Sequence, residues 1–137
     1  TSFKTQVLQG THNFTASSGD TFKIALYTNS SSLAAATATY GDGTATNEVS
    51  GTGYSAGGNT LTSVTPVADG TTAVCDFADT SWTSATITAY GALIYNSSES
   101  NKSVCVLNFG GDKTCTSGTF TIQFPTADAS NAILRLA

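Results

Sequence analysis

The sequence predicts an all-β domain, an antiparallel β-sandwich or jelly roll of about eight short strands with one long polar loop. Three observations carry this. Ser and Thr supply 42 of the 137 residues, and Thr suits a pleated surface while offering little to a helix. Charged residues are 10% of the chain against about a quarter in ordinary soluble domains, so the surface is hydroxyl-rich. Short alternating apolar runs recur with turn signals roughly every ten residues. The length suits a single domain spanning 1–137, large enough for its own core.

In chain order, Phe3 to Leu8 is read as a weak terminal strand, pairing within its own sheet or with a neighbour's edge. Phe22, Ile24 and Leu26 alternate with Lys23 and Ala25, the period of a half-buried strand. Ser30 to Ala38 holds the Ala cluster behind the potential caps Asn29 and Ser30 and predicts one short helix. Tyr40 to Asn59 is the long polar loop, exceeding an ordinary connection. Leu61 to Val67 and Thr72 to Phe77 are further strands. From Ala85 to Tyr95 a longer run becomes apolar on both faces in its second half, as in a central strand or a contact surface. Val104 to Phe109 and Phe120 to Phe124 read as a hairpin turning through Gly110, Gly111, Asp112, Ser117 and Gly118. Pro125 stops the second of these, and Ile133 to Leu136 is a terminal strand.

A net charge of −4 and a pI near 4.5 leave no basic field for nucleic acid or an anionic membrane. No apolar run approaches a membrane span, and the first residues lack the basic start and apolar stretch of a leader. Thr1 matches a chain that has lost an initiator Met, which fits a cytoplasmic start, and a trimmed leader would look alike. Cys75, Cys105 and Cys115 are odd in number and lack metal-ligand spacing, which predicts free thiols. A bridge from Cys105 to Cys115 requires the chain between them to fold back.

Several motifs offer chemistry and fail on context. Gly53-Tyr54-Ser55-Ala56-Gly57 matches the G-x-S-x-G nucleophile elbow, but a strand pattern follows it and the sole histidine, His12, precedes the serine. His12 stands in a polar stretch and is expected to be hydrogen-bonded or at the surface rather than a general base. Asp42, Thr44, Thr46 and Glu48 alternate oxygen ligands without the acidic spacing of a calcium loop. Asp76 and Asp79 suit turn capping better than glycoside hydrolysis. Gly110 to Thr114 ends in Lys-Thr but lacks the glycines of a phosphate loop. Four N-x-[ST] sites, at Asn13, Asn29, Asn96 and Asn101, are about what this composition produces by chance. Trp82 reads as core or rim packing, and Tyr40 and Tyr54 in the long loop are as suited to an interface as to packing. No catalytic, cofactor-binding or metal-binding residues are therefore assigned, and the chain is not expected to be an enzyme.

The C-terminal segment GGDKTCTSGTFTIQFPTADASNAILRLA (Gly110 to Ala137), with TNEVSGTGYSAGGNTLT (Thr46 to Thr62) and WTSATITAYGALIYN (Trp82 to Asn96), resembles small structural proteins of tailed bacteriophages. The resemblance covers most of the chain in scattered blocks and brings no catalytic residues. It implies a virion component made in the host cytoplasm: a capsid cement or decoration protein on the outside of the head, bridging major capsid subunits. At symmetry axes it would act as a trimer or dimer. A head-to-tail or tail component is the alternative within that class, and a carbohydrate-binding module the alternative outside it.

Overall fold

A computed structural model describes residues 2–137 and is mostly β, with two antiparallel sheets. The first sheet contains β1 (Phe22–Tyr27), β2 (Asn59–Thr60), β5 (Thr80–Asn96) and β6 (Lys102–Ile122) in the order β2-β1-β5-β6. The second contains β3 (Ser63–Asp69), β4 (Thr72–Phe77) and β7 (Leu134–Leu136) in the order β3-β4-β7. A short helix, α1 (Ser2–Leu8), precedes them. The expected sandwich is thus present, with seven strands among the described residues. They are not uniformly short, since β5 and β6 run for 17 and 21 residues.

Alternation places the core. Phe22, Ile24 and Leu26 on one face of β1 join Ala92 and Ile94 of β5, and Phe77 of β4 packs with them from the second sheet. Phe14 stacks on Phe22 at 4.4 Å between ring centres and closes one end of this core. The opposite face of β1 and β5 is also buried. Ala25, Tyr27, Leu93 and Tyr95 lie there under Leu33, Tyr40 and Ala45 of the loop that follows β1. This explains the doubly apolar second half of β5: it is a central strand, paired with β1 on one side and β6 on the other. Burial of this many large side chains on two faces is the main force holding the layers together.

Three expectations need correction. Residues 3–8 are not a strand: they form α1, which puts Phe3 and Val7 one turn apart on one face. Gly10, at φ +70°, ends the helix, with Thr11 N–H donating to Gln6 C=O at 2.9 Å and Gly10 N–H to Val7 C=O at 3.0 Å. That double bond pattern is a Schellman cap, which glycine permits. The predicted helix at Ser30 to Ala38 is instead irregular, because its backbone bonds outward: Ser103 N–H donates to Ala38 C=O at 2.9 Å and Tyr40 N–H to Asn101 C=O at 2.8 Å. The strand expected from Leu61 to Val67 is present with shifted bounds: β3 takes up residues 63–67 of it and runs on to Asp69, while Leu61 is buried where the chain leaves β2 for the second sheet.

The largest correction concerns the predicted hairpin. β6 does not fold back, because both its halves pair with the same long partner: Asn108 lies opposite Gly91, and Lys113 opposite Ala89. Between these pairs β5 has one residue, Tyr90, and β6 has four, Phe109 to Asp112. The glycines and aspartate that signal a turn make a wide bulge instead, with Gly110 at φ +74°. Cys105 and Cys115 therefore lie opposite Ile94 and Ile87, seven residues apart along β5 and roughly 23 Å, far beyond disulfide reach. All three cysteines are free. No helix among the described residues is long and apolar enough to cross a membrane.

Candidate functional site

The long loop from Tyr40 to Asn59 is organised by one carboxylate. Tyr40 donates its hydroxyl to Glu48 Oε2 at 2.8 Å. Tyr54 donates to Oε1 at 2.7 Å, and the Gly57 N–H donates to the same oxygen at 2.7 Å. Tyr54 in turn accepts the Leu26 N–H of β1 at 2.9 Å, and Tyr95 donates to Gly57 C=O at 2.8 Å. Tyr40 stacks on Tyr95 with ring centres 4.6 Å apart. Burial, followed by the hydrogen bond to Glu48, pushes the Tyr40 phenol up to about 12. Burial does the same for Tyr95, also to about 12, with Tyr40 and Glu48 adding to it. Tyr54 and Tyr27 are raised further, burial again the largest cause. Phenols held this firmly protonated are donors, not nucleophiles, so the cluster fastens the loop to the sheet. Gly58 makes the close approach possible: it adopts φ +67°, and a side-chain carbon there would collide with the Ile24 carbonyl.

The other residues singled out by the sequence are scattered, and most are engaged structurally. Ser55 lies in the exposed loop with a strand, not a helix, after it. His12 is held between Gln6 and Asn96. The Asn96 amide nitrogen can only donate, so His12 Nδ1 accepts at 3.0 Å and Nε2–H donates to Gln6 Oε1 at 3.0 Å. Burial holds this ring below the ordinary histidine value, opposed by Asp20 and Glu99 and reinforced by Lys102. Asp42 receives the Thr44 N–H and hydroxyl on Oδ1, at 2.7 and 2.6 Å, and the Ala38 N–H on Oδ2 at 2.7 Å. These bonds, the Thr44 hydroxyl foremost, hold its carboxyl well below the usual range. Asp79 accepts the Phe124 N–H at 2.8 Å, a bond across 45 residues of chain rather than the local turn cap expected, and Asp76 Oδ1 is buried without a hydrogen-bond partner among the described residues. No cluster of three or more potential metal ligands occurs among the described residues.

Trp82 is a core residue, 3% exposed, lying between Tyr54 and Phe120 at 5.9 and 6.1 Å. The outward face of the same ribbon carries hydroxyls in cross-strand pairs. Ser81 meets Thr121 and Thr88 meets Thr114, both at 2.9 Å.

What remains unfilled is the outer side of β6. It is the last strand of its sheet, and its first residues are covered by the backbone bridge of Thr39 to Lys102 and by α1. From Val104 to Ile122 its backbone pairs with β5 alone among the described residues. Such an edge offers a row of unpaired N–H and C=O groups. Beside it lies a groove of about 550 Å³ lined by Leu107, Phe109, Phe120, Ile122, Phe124 and Ile133, with Lys113 at its rim. The sequence reading missed this site because it gave the two halves of β6 to opposite arms of a hairpin. The bend at the bulge brings Leu107 and Phe109 to the same groove as Phe120 and Ile122. Recurrent phenylalanines at Phe109, Phe120 and Phe124 were the available signal.

No protein-family model, curated protein or solved structure matches this chain.

Proposed function

We propose that this chain is a structural virion protein, a cement protein that binds the outer surface of a tailed-phage head, bridges major capsid subunits and associates with further copies of itself. The observation that carries a binding role is the groove beside the open edge of β6. An apolar trough rimmed by unpaired backbone is the chemistry of a protein contact. The virion setting rests on the resemblance of the three sequence blocks to phage structural proteins. A binding rather than catalytic role is supported by the engagement of Glu48, Asp42 and His12 in the chain's own hydrogen bonds. Protein is favoured over sugar as the partner because Trp82 is in the core while Tyr40, Tyr54 and Tyr95 are tied into the Glu48 network. A cement protein stabilises a shell by mass action, since contacts made only on the assembled lattice must be broken before it opens.

The test is mass spectrometry and cryo-electron microscopy of purified particles of the phage that encodes the chain. Hundreds of copies on the head are expected. A few dozen at one vertex would transfer the role to the neck or tail, and absence from particles would overturn the proposal.

A further inference from the structure

The groove on β6 and the exposed rim of β3 have complementary chemistry, and we infer that they meet between copies of this chain, head to tail. The inference rests on reading the groove as a protein-binding face, and it names the occupant. On one side is the apolar trough with Lys113 at its rim, a cation with no ion-pair partner among the described residues. On the other is β3, an edge strand of the second sheet, which presents Val64 and Val67 at 44% and 57% exposure and ends at Asp69. Large apolar side chains this exposed on an edge strand call for a cover. Val67 and Asp69 stand two residues apart, so both project from one face of the strand. Asp69 takes the Ala129 N–H on Oδ2 at 2.7 Å and leaves Oδ1 without a hydrogen bond among the described residues. A second copy can thus place its valines among Phe109, Phe120 and Phe124 and its Asp69 carboxylate on Lys113.

Two-fold pairing of β6 with itself fits less well. Gly118 to Ile122 contains no acidic residue to meet Lys113. The bulge at Phe109 to Asp112 and a second at Thr116 and Ser117, opposite Thr86, also break the regular edge into short pieces. Each copy carries both surfaces, on different sheets, and head to tail the contact is heterologous, closing into a ring or extending along a lattice.

Sedimentation velocity of the whole chain at about 100 µM, suited to a small weak interface, tests this, with Val67→Asp and Lys113→Glu as the variants. Both positions are exposed, and circular dichroism should show the fold intact. The wild type should associate, and each variant alone should be weakened at least about tenfold. Mixed in equal amounts, the two variants should form a 1:1 dimer and nothing larger, because the intact groove of the first accepts the intact β3 of the second. Trp82, packed on Phe120, should change its fluorescence on association. A monomeric wild type, unaltered association of Val67→Asp, or no dimer from the mixture would overturn the inference. A monomeric wild type whose Lys113→Glu form no longer decorates particles would assign the groove to another partner, leaving the proposed function standing.

Discussion

Tyr54 donates its hydroxyl to Glu48 at 2.7 Å while accepting the backbone N–H of Leu26 at 2.9 Å, so one phenol joins the long loop to β1. Replacing Glu48 by Ala strips the acceptor from Tyr40, Tyr54 and the Gly57 N–H together. The expected loss is about 2 to 4 kcal/mol, since partly buried donors are left without partners. Glu48→Gln retains one carbonyl acceptor and should cost roughly half as much. Urea unfolding of both variants, followed by circular dichroism, checks the ranking. Equal stability of Glu48→Ala and wild type would show that the cluster does not fasten the loop.

The same cluster sets an alkaline limit. Tyr40 and Tyr95 ionise near 12 in the folded chain, above the value of 10 in the unfolded one. Folding therefore retains their protons, and stability that is full below pH 10 falls as pH rises through about 12. Absorbance at 295 nm during a base titration should show tyrosines ionising late and in step with loss of the near-ultraviolet circular dichroism signal. Ionisation of all five near pH 10 in a chain that stays folded would contradict this.

The strands carried by alternation were legible in the sequence: β1, β4, the central part of β5 and the terminal β7 were all expected. What alternation cannot convey is which strand a segment pairs with. Gly110, Gly111 and Asp112 favour the same backbone conformations in a turn and in a bulge, and the choice is made by the continuous ladder of β5. Likewise Phe3 and Val7 suit either period, and the helix is decided by Gly10 as its cap. The Glu48 cluster was half visible, because Tyr40 and Tyr54 were singled out in the loop. Glu48 itself was read with Asp42 as a faint cation loop, and only the fold directs the two carboxylates to separate hydrogen-bond sets.

His12 is expected to make the fold acid-sensitive. Its folded pKa lies below 6.5, so the unfolded chain binds the proton more readily. Stability is thus present above pH 6.5 and is lost as pH falls through the folded value. Protonation also sets Nδ1–H against the Asn96 amide donor. Melting temperature should fall between pH 7 and pH 5, and His12→Gln should flatten that part of the profile. An unchanged slope in the variant would assign the effect to other groups.

Calcium should leave the melting temperature unchanged at millimolar concentration. Asp42 already receives five hydrogen bonds from Ala38, Thr39, Thr44 and Ala45, so a cation would have to displace donors that the loop needs. Asp42→Ala should instead destabilise the chain by about 1 to 2 kcal/mol through loss of these turn bonds. A calcium-dependent rise in the wild type that Asp42→Ala removes would restore the cation reading.

The bulge in β6 gives a test of register. Four residues, Phe109 to Asp112, oppose the single Tyr90 of β5, so β6 carries three residues more than the ladder needs. Deleting Gly110, Gly111 and Asp112 joins Phe109 to Lys113 and brings Phe109 opposite Tyr90 between the existing pairs. The two halves of the ladder then run in one register. The fold should survive with stability within about 1 kcal/mol of wild type, because an excursion of this size contributes little to the closure entropy of the chain. Had these residues formed the turn of a hairpin, their removal would abolish the strand pairing around them. The deletion also redirects Phe109 relative to Phe120 and shifts Lys113 along the groove. Association between copies should therefore be lost while circular dichroism and the melting temperature hold. Unfolding of the deletion variant would mean that the long strand depends on the bulge to bend, and retained association would place the contact outside the groove.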